Sequence, residues 1–82
     1  MEDSLHTGAK IFARWLAIEI AVDHEQEIAL GLKEGNLQAR LGVPVLDAFR
    51  RYRETMPESL VNETTYFKDA LNEIIAGGRE VF

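Results

Sequence analysis

Four arginines between residues 37 and 54 are the side chains with the clearest chemistry in this 82-residue chain. They are Arg40, Arg50, Arg51 and Arg53. Residues 37–56 carry four arginines and two acids, whereas residues 1–36 carry three bases and seven acids. Because a guanidinium binds phosphates and carboxylates through its forked donors, this segment is the candidate contact for a nucleic acid or for an acidic protein partner.

Residues 37–52 resemble a helix-turn-helix, a motif that lays its second helix in the major groove of DNA. The motif's apolar positions and turn glycine fall at Leu37, Leu41, Gly42, Val43 and Ala48. The chain departs from the motif at Gln38, where a small residue is usual, and at Arg51, where an apolar one is. Base contacts usually come from the start of the recognition helix, and the arginines lie near its end. The competing interpretation pairs them with acids of the same fold.

Glu19, Asp23 and Glu27 are the acidic counterpart, because they recur four residues apart. On one continuous helix they would form a stripe of like charges, which repel one another weakly. Such a stripe predicts either a docking surface for a basic partner or ion pairs with the arginines. Acids left unpaired on one exposed surface would instead indicate a mimic of nucleic acid.

The residue pattern offers little support for catalysis or metal binding. His24 and Glu27 could share a metal, but a site in a helical bundle needs ligands from other helices, and His6 is the only other histidine. The chain has no cysteine and no glycine-rich phosphate loop, and no nucleophile stands in a recognisable setting. We therefore expect a protein that is not an enzyme and has no cofactor, metal site or catalytic residue.

Apolar residues recur at helical spacing along nearly the whole chain, and no segment alternates as a strand would. The pattern predicts a single all-α domain of four to five helices, a helical bundle without a sheet. The expected helices cover residues 7–22, 25–33, 37–41 and 44–56, with a last one that begins near Ser59 or Asn62. The first two could also be one helix bent at Asp23. Residues 1–6 and 77–82 are expected to be tails.

The first predicted helix carries more apolar surface than one neighbour could cover. Its large apolar side chains span an arc of roughly 200°, at about 100° per residue. We therefore expect a homodimer through this helix, because twofold pairing buries the same patch on both subunits. The expected interface comprises Ile11, Trp15, Ile18 and Val22, with Arg14 and Glu19 at its rim. The expected core comprises Phe12, Trp15, Leu16, Val22, Phe49, Tyr52, Phe67, Leu71 and Ile74.

These features predict a small regulatory or adaptor protein that acts by binding another protein, as a homodimer. A cytoplasmic location is expected, because a domain this small without cysteines lacks the disulfides common in secreted domains. The apolar runs are too short to span a membrane, so no membrane contact is expected. The alternatives are a helix-turn-helix DNA-binding regulator that uses residues 37–54 and an acidic nucleic-acid mimic that inhibits its target.

Overall fold

The structure, a computed structural model, describes residues 2–82, with side chains from Ser4 onward. The helices in this range are α1 (Glu2–Asp23), α2 (Glu25–Glu34), α3 (Leu37–Arg40), α4 (Gly42–Thr55), α5 (Glu58–Glu63) and α6 (Tyr66–Ile74). Residues 2–82 contain no strand. The predicted all-α fold without a sheet is therefore confirmed for this part of the chain.

Two stretches differ from the expected helix boundaries. Residues 2–6, expected as a tail, form the first turn of α1. The expected last helix is divided into α5 and α6 by Thr64 and Thr65. Thr64 has an extended backbone, and its hydroxyl donates a hydrogen bond to the Leu60 carbonyl at 2.7 Å. The Thr64 N–H also donates to the Leu60 carbonyl at 3.1 Å, so Thr64 ends α5 with both of its donors on one carbonyl, a local arrangement typical of threonine at a helix end.

A single residue, His24, separates α1 from α2. The His24 N–H donates to the Ile20 carbonyl at 2.9 Å, and the Ile28 N–H donates to the His24 carbonyl at 3.0 Å. The helical ladder thus continues across the junction, so the two helices are close to the single bent helix that the sequence allowed. At its other end α2 stops at Gly35, whose left-handed backbone (φ 74°) favours glycine.

The core is built on an alanine-rich face of α1. Ala9, Ala13 and Ala17 are fully buried, and Leu16 and Ile20 lie among them. Small side chains allow a neighbouring helix to approach closely, and α6 packs against α1 more extensively than any other pair of helices. The other helices complete the core with Leu37, Leu41, Ala48, Tyr52, Leu60, Phe67, Ala70, Leu71, Ile75 and Ala76.

The expected core is confirmed in part. Leu16, Tyr52, Phe67 and Leu71 are buried, and Phe12, Phe49 and Ile74 are partly buried against the same cluster. Trp15 and Val22 were wrong as core residues of one chain, since 53% and 71% of them is exposed. Both lie on the face of α1 that points away from the alanines, where neighbouring helices cover them only in part.

Candidate protein-binding surface

Four large apolar side chains of α1 are exposed along one line. They are Ile11, Trp15, Ile18 and Val22, with exposed fractions of 63%, 53%, 47% and 71%. Their spacing of four, three and four residues places them within an arc of about 60°, roughly opposite the buried alanines. We call this line the α1 stripe. Adjacent exposed apolar side chains of this size are typical of an interaction surface.

Two ion pairs border the α1 stripe, one on each side. The Arg14 guanidinium lies 2.8 Å from the Glu73 carboxylate of α6, and the Arg51 guanidinium of α4 lies 3.4 Å from Glu19 Oε1. All four side chains are about half exposed, so each pair adds at most about 1 kcal/mol to stability. The pairs hold charged groups at the rim and leave the four apolar side chains about half exposed or more. The structure thus places all six predicted interface residues along one exposed face.

Trp15 is exposed but held in place. Its ring stacks on Phe12 with centroids 6.2 Å apart and planes 19° apart. The Arg51 guanidinium lies 5.7 Å from the Trp15 ring centroid, a distance at which a cation and an aromatic face attract. A large aromatic side chain that is fixed before binding loses little entropy on binding, which suits an interface anchor.

The predicted arginine site divides into two pairs of residues. Arg40 donates hydrogen bonds to Glu34, Glu27 and Asn36. The hydrogen bonds to Glu34 and Glu27 raise the pKa of the Arg40 guanidinium above its ordinary value. Arg51 pairs with Glu19, as described above. For Arg40 and Arg51 the structure therefore agrees with the interpretation that pairs arginines with acids of the same fold.

Arg50 and Arg53 differ, because neither forms an ion pair with any residue that the structure describes. Both are exposed on α4.

The joint before α4 also departs from a helix-turn-helix. The buried Leu41 alone separates α3 from α4, and the expected turn residue, Gly42, is the first residue of α4. The DNA-binding alternative stays a prediction that rests on Arg50 and Arg53.

Glu19 and Asp23 lie on α1 and Glu27 lies on α2, with the non-helical backbone of His24 (φ −126°, ψ 35°) between them. Glu27 pairs with Arg40 and Glu19 with Arg51, so two of the three predicted acids have basic partners.

Within the described part of the chain, no three histidine, cysteine, aspartate or glutamate side chains are grouped so that they could hold a metal. The Nδ1 atom of His6 lies 2.7 Å from the Tyr66 hydroxyl, near the start of α1, whereas His24 directly follows its end.

Sequence reasoning missed one surface, a groove between α4 and α6. It is lined by Gln38, Gly42, Val45, Leu46, Phe49, Phe67, Lys68, Leu71 and Phe82 and has a volume of about 370 Å³. Phe82 lies there because Asn72 Oδ1 accepts hydrogen bonds from the backbone N–H groups of Val81 and Phe82, at 2.9 and 2.8 Å. The sequence shows only that Leu46 shares a helix side with Arg50 and Arg53 through its spacing of four and seven residues, whereas the groove depends on how α6 packs.

Comparisons with protein-family models, with curated proteins and with solved structures find no significant match to this chain. Among the helices that the structure describes, none has both the length and the apolar character needed to cross a membrane. The α1 stripe, the free arginines and the α4–α6 groove are therefore the features from which function is argued.

Proposed function

We propose that this protein is a small, non-enzymatic regulatory or adaptor protein that binds other proteins and forms a homodimer through the α1 stripe. The observation that carries the proposal is the exposure of Ile11, Trp15, Ile18 and Val22 on the outer face of the longest helix. Complete burial of one such side chain contributes about 1.5–3 kcal/mol, so covering the stripe would stabilise a complex relative to the free protein.

The spacing of the stripe supports a helix as its partner. Apolar residues that alternate between steps of four and three residues form the seam of a coiled coil, in which side chains of one helix fit between those of the other. A second copy of α1 offers the same seam. Arg14 and Glu19 lie on opposite sides of it, so two copies can also bring unlike charges together at the rim.

The length of the stripe sets the expected strength of the dimer. From Ile11 to Val22 it extends over roughly 17 Å of helix, about three turns. A single helix pair of this length buries less surface than the about 1,200–2,000 Å² that is typical of a stable interface. We therefore expect a dissociation constant in the micromolar range. Reversible dimerisation in that range suits a regulator whose state changes with concentration.

The substitution Ile18→Glu tests the proposed dimer. We expect light scattering and sedimentation equilibrium to show a dimer of the parent at high micromolar concentration and a monomer of the variant, because two buried carboxylates would face each other across the seam. The variant should keep the parent's helical circular dichroism, since Ile18 is half exposed and outside the core.

Leu30→Glu is the matched control, because Leu30 is also an exposed apolar helix residue but lies on α2. It should leave the dimer intact. A parent that remains monomeric at high micromolar concentration would contradict the homodimer. Equal dissociation by both variants would place the interface elsewhere on the surface.

A further inference from the structure

The α4–α6 groove has an apolar floor that is independent of the α1 stripe. Phe49 of α4 and Phe67 of α6 pack together with ring centroids 5.3 Å apart, and Leu71 lies on the same side of α6. Leu46 forms part of the wall and is 55% exposed. The opening is large enough for a few apolar side chains of a partner.

Cations border this apolar floor. Arg50 and Arg53 follow Leu46 by four and seven residues, so all three side chains share one side of α4. The Arg53 guanidinium lies 5.9 Å from the Phe49 ring centroid, which places the charge directly beside the floor. Lys68 lines the groove from α6. Glu54 is the single acid among the residues that line the groove and the adjoining surface around the arginines.

The arrangement is unusual for a chain whose net charge is −5. Most charges elsewhere on the chain are acidic, and Arg40, Arg51 and Arg14 are engaged in ion pairs. Arg50, Arg53 and Lys68 have no ion-pair partner among the described residues; Lys68 lines the apolar groove, and the two arginines lie on the surface that adjoins it. This surface therefore has an open apolar groove and three cations against a single acid, Glu54.

We propose that the α4–α6 groove binds an acidic amphipathic helix of a partner protein. The apolar face of that helix would fill the space between Leu46, Phe49 and Leu71, and its acidic residues would pair with Arg50, Arg53 and Lys68. Charge complementarity selects this occupant: a basic or neutral helix could fill the floor but would leave three cations unpaired. A polyanion without apolar groups would pair with the cations but leave the floor exposed. The proposal assigns the groove to a heterologous partner and the α1 stripe to self-association.

Three synthetic helical peptides of equal length test this with the full chain by isothermal titration calorimetry. The first has leucines at i, i+3, i+4 and i+7 and glutamates on its other face. The second replaces the glutamates with lysines, and the third replaces the leucines with serines. We expect only the first to bind, and its affinity should fall as salt is raised, because exposed charge pairs are screened.

Matched variants locate the binding site. Arg53→Glu should weaken binding of the acidic peptide roughly three- to tenfold, whereas Lys33→Glu, with the same change in net charge, should leave it unchanged. Leu46→Ser should weaken binding as well, whereas Leu30→Ser, at another partly exposed leucine, should not. Since both leucines are exposed, these variants should keep the parent's fold, which circular dichroism checks.

Several results would overturn the proposal. Failure of the acidic peptide to bind would do so, as would equal binding of the lysine peptide. So would equal losses for Arg53→Glu and Lys33→Glu. Duplex DNA or anionic vesicles that bind through Arg50 and Arg53, while the acidic peptide does not, would identify a polyanion site instead. None of these results depends on dimerisation, because Leu46 and Arg53 lie outside the α1 stripe.

Discussion

At the scale of single residues, Tyr52 has one of the largest buried side chains of the core, yet its hydroxyl is poorly hydrogen-bonded. Its side chain is almost fully buried, and its ring lies 5.4 Å from Phe67 and 6.2 Å from Phe12 between centroids. Its hydroxyl is buried and forms no hydrogen bond of good geometry with the described residues, and the nearby Thr64 hydroxyl satisfies it only weakly. The ring therefore stabilises the core, whereas the hydroxyl destabilises it by the cost of removing it from water.

Tyr52→Phe should therefore leave the free energy of unfolding unchanged or raise it by up to about 1 kcal/mol, because it removes the poorly hydrogen-bonded hydroxyl and keeps the ring. Urea unfolding at neutral pH measures the change. A loss of more than about 1 kcal/mol would mean that the hydroxyl forms a stabilising hydrogen bond.

The same pair of proteins should differ in alkali. Burial raises the pKa of the Tyr52 phenol in the folded state above its ordinary value near 10. The unfolded chain therefore releases this proton first as the pH rises, so the parent's stability is complete below about pH 10 and falls above it. Tyr52→Phe lacks this loss, and its advantage over the parent should grow between neutral pH and pH values above about 10.

At the scale of helices, the sequence predicts α1 as a helix but not which of its faces is buried. Apolar residues lie nearly all around it. Periodicity therefore shows which residues share a face but not which face is buried. Large side chains such as Trp15 and Val22 suggested the core, yet the alanines face α6, because small side chains permit the closest helix packing. Helical spacing alone places the four residues of the α1 stripe on one face, and that face is exposed; its use as an interface stays a prediction. The α4–α6 groove depends on packing between distant segments and has no comparable sequence pattern.

Ala13→Leu tests the role of the alanine face. Ala13 is fully buried, and it lies on the same side of α1 as His6 and Lys10, which contact Tyr66 of α6. A leucine there has no space, so we expect a loss of roughly 1–3 kcal/mol in the free energy of unfolding by urea. Ala29→Leu, at an exposed alanine of α2, should change it by less than about 0.5 kcal/mol. Equal effects at both positions would mean that α6 does not pack closely on this face.

At the scale of the whole molecule, the two proposed surfaces do not compete. The protein is elongated, with extents of 42 × 21 × 20 Å, and α1 is its longest helix. The α1 stripe is bordered by Arg51 of α4, whereas Leu46 and Arg53 of the groove project from a different side of α4. A dimer through the stripe would therefore leave the α4–α6 groove open on both subunits. Two open grooves on one dimer would bind a divalent partner more tightly than either groove alone.

The charges beside the stripe also determine how two copies would be oriented. Arg14 lies on one side of the stripe and Glu19 on the other. Two helices that face each other in parallel bring unlike sides together, so Arg14 would lie beside Glu19 of the second copy. Antiparallel helices related by a twofold axis bring like sides together, and Arg14 would face the basic side of the second copy. Charge complementarity therefore favours the parallel dimer.

Charge reversal tests the orientation. Arg14→Glu and Glu19→Arg should each weaken the dimer roughly three- to tenfold at low salt, because each places like charges across the rim. The double variant should return the dissociation constant close to the parent's value, as sedimentation equilibrium would measure it. Loss of the pairs with Glu73 and Arg51 cannot explain such a recovery, because the double variant loses both of them. High salt should reduce the differences among all four proteins. In an antiparallel dimer like sides would still meet in the double variant, so a dissociation constant that stays as weak as in the single variants would contradict the parallel arrangement.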